Sequence, residues 1–215
     1  MRLTATSHLT LDGVMQSNGK PEPELHDGFE QGGWQVPYLD DDFGRLATDW
    51  MAAADAFLLG RRTYELFAEH WSRVTDPTNA LAIKLNGQPK YVVSSTLDRL
   101  TWNNSMLLRG DVFNEVATLK RQPGNELQIH GSSTLIRTLM EQDLIDEYRL
   151  FIHPVVLGNG KRLFGEGTTP TAFTLIETKT TSRGVVIHVY QPAGKPTYGT
   201  VALEQAGDVV RERRR

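Results

Sequence analysis

Residues 2–11 alternate, with Leu3, Ala5, Ser7, Leu9 and Leu11 set between Arg2, Thr4, Thr6, His8 and Thr10. That two-residue period predicts a strand with one more apolar face, ended by Asp12-Gly13. From Val14 to Gly33 the chain is rich in Gly, Pro, Glu and Asn without either period, which reads as a long loop, open between a lid and a plain surface segment. Phe43, Leu46, Ala47, Trp50, Met51 and Ala54 then form a helical stripe that begins at Asp40-Asp41-Asp42. Acids there cap a helix and suit its dipole, and they are also the candidate catalytic acids of the chain.

The short apolar run Ala56-Phe57-Leu58-Leu59 is cut off by Gly60 and followed by Arg61-Arg62-Thr63-Tyr64-Glu65. It predicts a central strand that delivers a basic turn into a helix carrying Tyr64, Leu66, Phe67 and Trp71. Two arginines at a helix start oppose the macrodipole by about 0.3–1 kcal/mol each at exposed sites. Glu65 and Glu69 would compensate them internally, or a phosphate held by N–H groups and guanidinium forks would do so from outside.

The pattern repeats downstream. Asn79 to Asn86 is a short helical segment, and Tyr91-Val92-Val93 is a strand ending in Ser94-Ser95-Thr96. Those hydroxyls serve either the turn backbone or an anion pocket. Ser105–Arg109 reads as a short strand, and Asp111 opens a helix using Val112, Val116 and Leu119. Leu127–His130 is a strand ending in Gly131-Ser132-Ser133-Thr134 before the helix of Leu135, Ile136, Leu139 and Met140. Such a glycine turn can cradle a pyrophosphate, although one glycine is weak evidence.

Tyr148–Val156 reads as a long strand in which Pro154 implies an edge or a bulge. Gly158-Asn159-Gly160 is a glycine loop, either a tight turn or a contact to substrate. Thr174–Thr180 and Val185–Tyr190 form a hairpin around Ser182-Arg183-Gly184. The chain is therefore read as a domain over residues 1–192 and a polar tail over 193–215, with an added helix from Val201 onward. Alternating strands and helices predict an α/β fold with a mixed, mostly parallel sheet flanked by helices and an antiparallel C-terminal hairpin. Ligands bind such sheets beyond the strands' C-terminal ends, where Gly60-Arg61, Ser94-Ser95 and Gly131-Ser132 fall.

Composition narrows the chemistry. In 215 residues, 39% hydrophobic and 23% charged, there is no cysteine, which rules out disulfides, thiolate catalysis and cysteine-ligated metals. A formal net charge of −3 provides no global field for nucleic acid or anionic membrane. No apolar run approaches the about 20 residues of a membrane span, and Met1-Arg2-Leu3 leads straight into the first strand, so a cytoplasmic protein is expected. No metal site is expected. His130, His153 and His188 fall in strand patterns, and of these only His130 lies near a predicted site.

Ser7–Val14, Gly60–Glu65, Val92–Ser95, Gly131–Leu135 and Pro154–Phe164, in that order, resemble the dihydrofolate reductase fold. In detail the chain is similar to the reductase domain of bifunctional riboflavin biosynthesis proteins and their stand-alone relatives, over most of residues 2–191. The resemblance implies an NADPH-dependent oxidoreductase acting on a ribosylaminopyrimidine or similar small heterocycle. A non-catalytic NADPH-binding module and a dihydrofolate reductase are the alternatives. It implies that Arg61, Arg62, Thr63, Ser94 and Ser95 hold the adenosine phosphates, with Gly60 in the same turn. His130, Gly131, Ser132, Ser133 and Thr134 would face the pyrophosphate and nicotinamide, with Leu11, Asp12, Gly13 and Val14 along the nicotinamide. The acid that binds the pterin ring in dihydrofolate reductases has no clear counterpart among Asp40, Asp41 and Asp42. The fused zinc deaminase needs cysteine ligands and a His-x-Glu motif, absent here, so a lone reductase domain is implied. A homodimer is expected from the resemblance and from the need to protect the Tyr148–Val156 strand at an edge.

Overall fold

The computed structural model describes residues 1–17, 28–201 and 212–213. In chain order the elements are β1 (Arg2–Thr10), a 3-10 turn (Val36–Tyr38), α1 (Asp41–Ala52), β2 (Ala54–Gly60), α2 (Arg61–Trp71) and α3 (Ala80–Gly87). Then come β3 (Lys90–Val93), β4 (Ser105–Leu108), α4 (Val112–Lys120), β5 (Glu126–His130), α5 (Ser133–Met140) and β6 (Glu147–His153). The hairpin β7 (Phe173–Thr180) and β8 (Val186–Pro192) follows, and the short strands β9 (Thr200–Val201) and β10 (Glu212–Arg213) pair with each other.

Eight strands form one sheet in the order β4-β3-β2-β5-β1-β6-β8-β7. The first six run parallel, and β8 and β7 are antiparallel additions. The chain thus has the mixed, mostly parallel sheet of the dihydrofolate reductase-like fold. β2 explains its own central place: Phe57, Leu58 and Leu59 are all fully buried, as a strand covered by helices on both faces requires. Ala56 and Leu58 pack with Val116, Leu119, Ile136 and Leu139 under α4 and α5. Phe57 and Leu59 pack with Met51, Tyr64, Ala68 and Leu85 under α1, α2 and α3.

Three sequence expectations change. β6 stops at His153, before Pro154, whose missing N–H cannot continue a ladder. It lies between β1 and β8, so it is not an edge; the edge strands of this sheet are β4 and β7, and β7 is the more exposed. Ala54 opens β2 instead of closing the helical stripe. Val201 lies in β9, where a helix start was expected; residues 202–211 of that expected helix fall outside the described residues. The long loop expected from Val14 to Gly33, lid or plain surface segment, is described only at its ends, where Val14 and Phe29 pack with Trp34, and its residues 18–27 fall outside the described residues.

α1 is fastened to the sheet by polar contacts. Arg149, 4% exposed, pairs with Glu126 and Glu147 at 2.7 and 2.8 Å and lies 4.9 Å from the Trp50 ring. Gln128 donates to the Trp50 carbonyl at 2.6 Å and to Glu126 at 2.7 Å, leaving its own Oε1 to accept from His130 Nε2 at 3.0 Å. The network fixes the His130 tautomer, with the proton on Nε2 and the lone pair on Nδ1.

Candidate active site

Because β2 lies between β3 and β5, three strand ends meet at one rim. β2 passes through Gly60 directly into α2, and β5 passes through Gly131 and Ser132 into α5. Gly131 and Ser132 are both left-handed, with φ of 68° and 65°. That conformation is cheap for glycine and strained for serine, and it turns Ser132 towards the neighbouring strand end. Its Oγ accepts from the Gly60 N–H at 3.0 Å and lies 2.7 Å from Thr63 Oγ1. A Cβ on Gly60 would stand 2.9 Å from that same oxygen, so the close approach needs glycine.

The rim opens into a cavity of about 870 Å³, large enough for a cofactor-sized ligand. It brings together Gly60, Arg61, Arg62, Thr63, Ser94, Ser95, His130, Gly131, Ser132, Ser133 and Thr134. Arg61 also pairs with Glu65 at 3.3 Å on an exposed helix face, as the internal reading anticipated. Ser94 Oγ accepts from the Thr96 and Leu97 amides at 3.2 and 3.0 Å, so it serves its turn as well as the cavity wall.

Other candidates fall elsewhere. Asp40 caps α1 through the Phe43 amide at 2.8 Å and accepts from Ser182 Oγ and the Arg183 amide, each at 2.9 Å. Asp42 accepts from the Ser182 amide at 3.0 Å, and Asp41 lies in the first turn of α1. Asp40 and Asp42 anchor the β7–β8 turn, and none of the three acids lines the cavity. Leu11, Asp12 and Gly13 are also outside it. Asp12 accepts from Thr10 Oγ1 and from the Gly158 and Leu157 amides at 2.9 and 3.2 Å, which holds its carboxyl down at about 2. Gly158, Asn159 and Gly160 form the other half of that junction. A Cβ on Gly160 would meet Val14 and Phe29 at under 3 Å, so it is a packing glycine, and its neighbour Lys161 reaches the cavity instead.

The inner wall was not anticipated. Thr6, His8, Met15, Gln16, Ser17 and Gln35 line it. Thr6 and His8 share the polar face of β1, opposite Leu3, Ala5 and Leu9. His8 stacks on Phe151 at 4.7 Å and 9°, and its Nδ1 lies 3.2 Å from His153 Nε2. Burial, with some repulsion from His153, pushes His8 down to about 3, and burial alone pushes His153 to about 4. His130 falls to about 4 through burial and then through Arg149. All three are neutral at ordinary pH. No cluster of metal-ligating side chains occurs among the described residues, and none of their helices is long and apolar enough to cross a membrane.

With that geometry in place, the sequence pattern of the RibD C-terminal domain matches residues 2–187. The chain belongs to the RibD C-terminal domain family. Uncharacterized protein YyaP of Bacillus subtilis (strain 168) is 33% identical over 185 residues, covering 85% of this chain and 90% of YyaP. A diaminohydroxyphosphoribosylaminopyrimidine deaminase/5-amino-6-(5-phosphoribosylamino)uracil reductase from Thermotoga maritima superposes with a TM-score of 0.58 at 13% identity, covering 89% of this chain and 56% of that one. Dihydrofolate reductase from Enterococcus faecalis, solved with NADP(H), gives 0.55 at 15% identity, covering 89% and 96%. The RibD-type membership thus rests on sequence, and the two structures establish the shared fold.

Proposed function

We propose that the protein is an NADPH-dependent reductase that transfers a hydride to a small heterocycle of the ribosylaminopyrimidine type. The observation that carries this reading is a contrast among helix starts. α1, α3 and α4 each have a side-chain cap, from Asp40, Asn79 and Asp111. α2 and α5, the two whose starts line the cavity, have none. Helix N-terminal N–H groups need partners, and a bound anion is one. The same cavity is lined by Arg61, Arg62 and Lys161 and, among the described residues, by no Asp or Glu.

These features suit a dinucleotide with an extra phosphate. The turns at Gly60 and Gly131 let the backbone approach a pyrophosphate, and Arg61 or Arg62 with Ser95 suits the 2′-phosphate. When bound, the nicotinamide supplies the hydride, so this chain has to bind, orient and exclude water rather than provide a nucleophile. Among the described residues no carboxylate lines the cavity, a lining that suits a ribosylaminopyrimidine better than dihydrofolate, whose pterin is held by an acid in dihydrofolate reductases. We also propose a homodimer, supported by the exposed edge of β7, where Leu175 and Ile176 are about half exposed.

The test is NADPH oxidation, followed by absorbance, with 5-amino-6-(5-phosphoribosylamino)uracil or with dihydrofolate as acceptor. Oxidation is expected with the first. Faster turnover of dihydrofolate would replace the substrate assignment, and stabilisation by NADPH without turnover of either would make the protein a binding module.

A further inference from the structure

The inner end of the cavity has two polar groups without a function. Thr6 Oγ1 is buried and makes no hydrogen bond, and Thr6 pairs in register with His130, so it lies in the same wall. His8 spends its Nδ1 on His153, and no hydrogen bond reaches its Nε2 among the described residues. The Thr6 hydroxyl is closed to solvent, so the ring nitrogen of His8 is the group on this wall that a polar ligand edge can reach.

His153 decides which kind of edge. It is fully buried, enclosed by Trp34 and Tyr38 edge contacts at 5.0 and 5.7 Å, and its Nδ1 has no hydrogen-bond partner. If His8 donated to His153, the His153 proton would sit on that orphaned Nδ1 as a buried N–H without an acceptor. If His153 donates from Nε2, the orphan is only a lone pair, the less costly and commoner defect. The second arrangement puts the His8 proton on Nε2.

We propose that His8 is a substrate-orienting residue: held by His153 as the neutral Nε2–H tautomer, it donates a hydrogen bond to a carbonyl oxygen of the heterocycle, beside Thr6. Burial keeps both rings neutral, so the wall offers a donor without a charge. It therefore selects a ring edge bearing oxygen and rejects a protonated, amidine-like edge, which would need a carboxylate. Stacking on Phe151 at 9° and the tilted Phe43 ring at 5.4 Å limit how far the imidazole can turn from that direction. The assignment rests on the reductase reading for its ligand and on geometry alone for its tautomer.

Both parts are testable separately. Nitrogen-15 correlation spectra of the wild-type protein with NADPH should show His8 with an unprotonated Nδ1 and a protonated Nε2, and His153→Phe should abolish that single tautomer. Uracil and 2,4-diaminopyrimidine, the latter a cation at mildly acidic pH, are then titrated into the NADPH-mixed protein. Uracil should bind more tightly, and His8→Ala should weaken it about three- to tenfold, the worth of one hydrogen bond. His8→Gln, which restores a donor, should recover most of the loss, and 2,4-diaminopyrimidine should be unaffected. A His8 proton on Nδ1, absence of uracil binding to wild type, or unchanged uracil affinity in His8→Ala overturns the proposal. Failure of the cofactor reading would appear instead as no NADPH-induced melting shift, with the tautomer result still standing.

Discussion

The hydroxyl of Ser132 accepts the Gly60 amide proton at 3.0 Å, across 72 residues of chain. It joins the turn into α2 to the turn into α5, so the two uncapped helix starts keep a fixed spacing. A serine in the left-handed region is strained, and the contact to Gly60 and Thr63 offsets that strain locally.

Gly60→Ala should therefore lower stability by about 1–3 kcal/mol, because its Cβ meets Ser132 and the turns must part. Ser132→Gly alone loses the hydrogen bonds but relieves the strain, and it removes the oxygen that a Cβ at position 60 would meet. Combining them should cost less than the sum of the two, which a double-mutant cycle by urea unfolding measures. Strict additivity would mean the turns are not coupled.

A second expectation concerns pH. His8, His130 and His153 take up protons near 6.5 when unfolded but only near 3 to 4 when folded. Between those values the unfolded state binds more protons, so stability is full above about pH 6.5 and is lost as pH falls below it. Each histidine contributes up to about 1.4 kcal/mol per pH unit. Urea midpoints from pH 7 down to 5 should fall, and less steeply in His153→Phe; a flat profile would show that the histidines are solvated.

The dimer proposal is tested at β7. Leu175→Lys at the exposed edge should give a monomer mass by light scattering where the wild type gives a dimer. A wild-type monomer across a wide concentration range would contradict the proposal.

Much of this was legible in the sequence, for physical reasons that differ by region. The turns at Gly60 and Gly131 announce themselves because an apolar run, a glycine and a helix start are contiguous. Asp40 reads correctly as a cap for the same local reason, but its second role, holding Ser182 and Arg183, is 142 and 143 residues away. The inner wall was hidden more thoroughly. Thr6 and His8 occupy what alternation alone presents as the solvent face of β1, and only the parallel register of β6 brings Phe151 and His153 beside them. Pro154 was visible, but that the strand it ends lies inside the sheet and not at an edge depended on β8 pairing beside it, which no local pattern carries.

The central claim is that the basic turn after β2 reads the 2′-phosphate of NADPH. Isothermal titration of Arg61→Ala and Arg62→Ala with NADPH and NADH, beside their melting curves, tests it most directly. At least one variant should lose about 1.5–3 kcal/mol of NADPH binding, the range for a hydrogen bond to a charged group, with NADH affinity and fold intact. Loss of the exposed Arg61–Glu65 pair should itself cost no more than about 1 kcal/mol of stability. NADPH affinity unchanged in both variants would contradict the account.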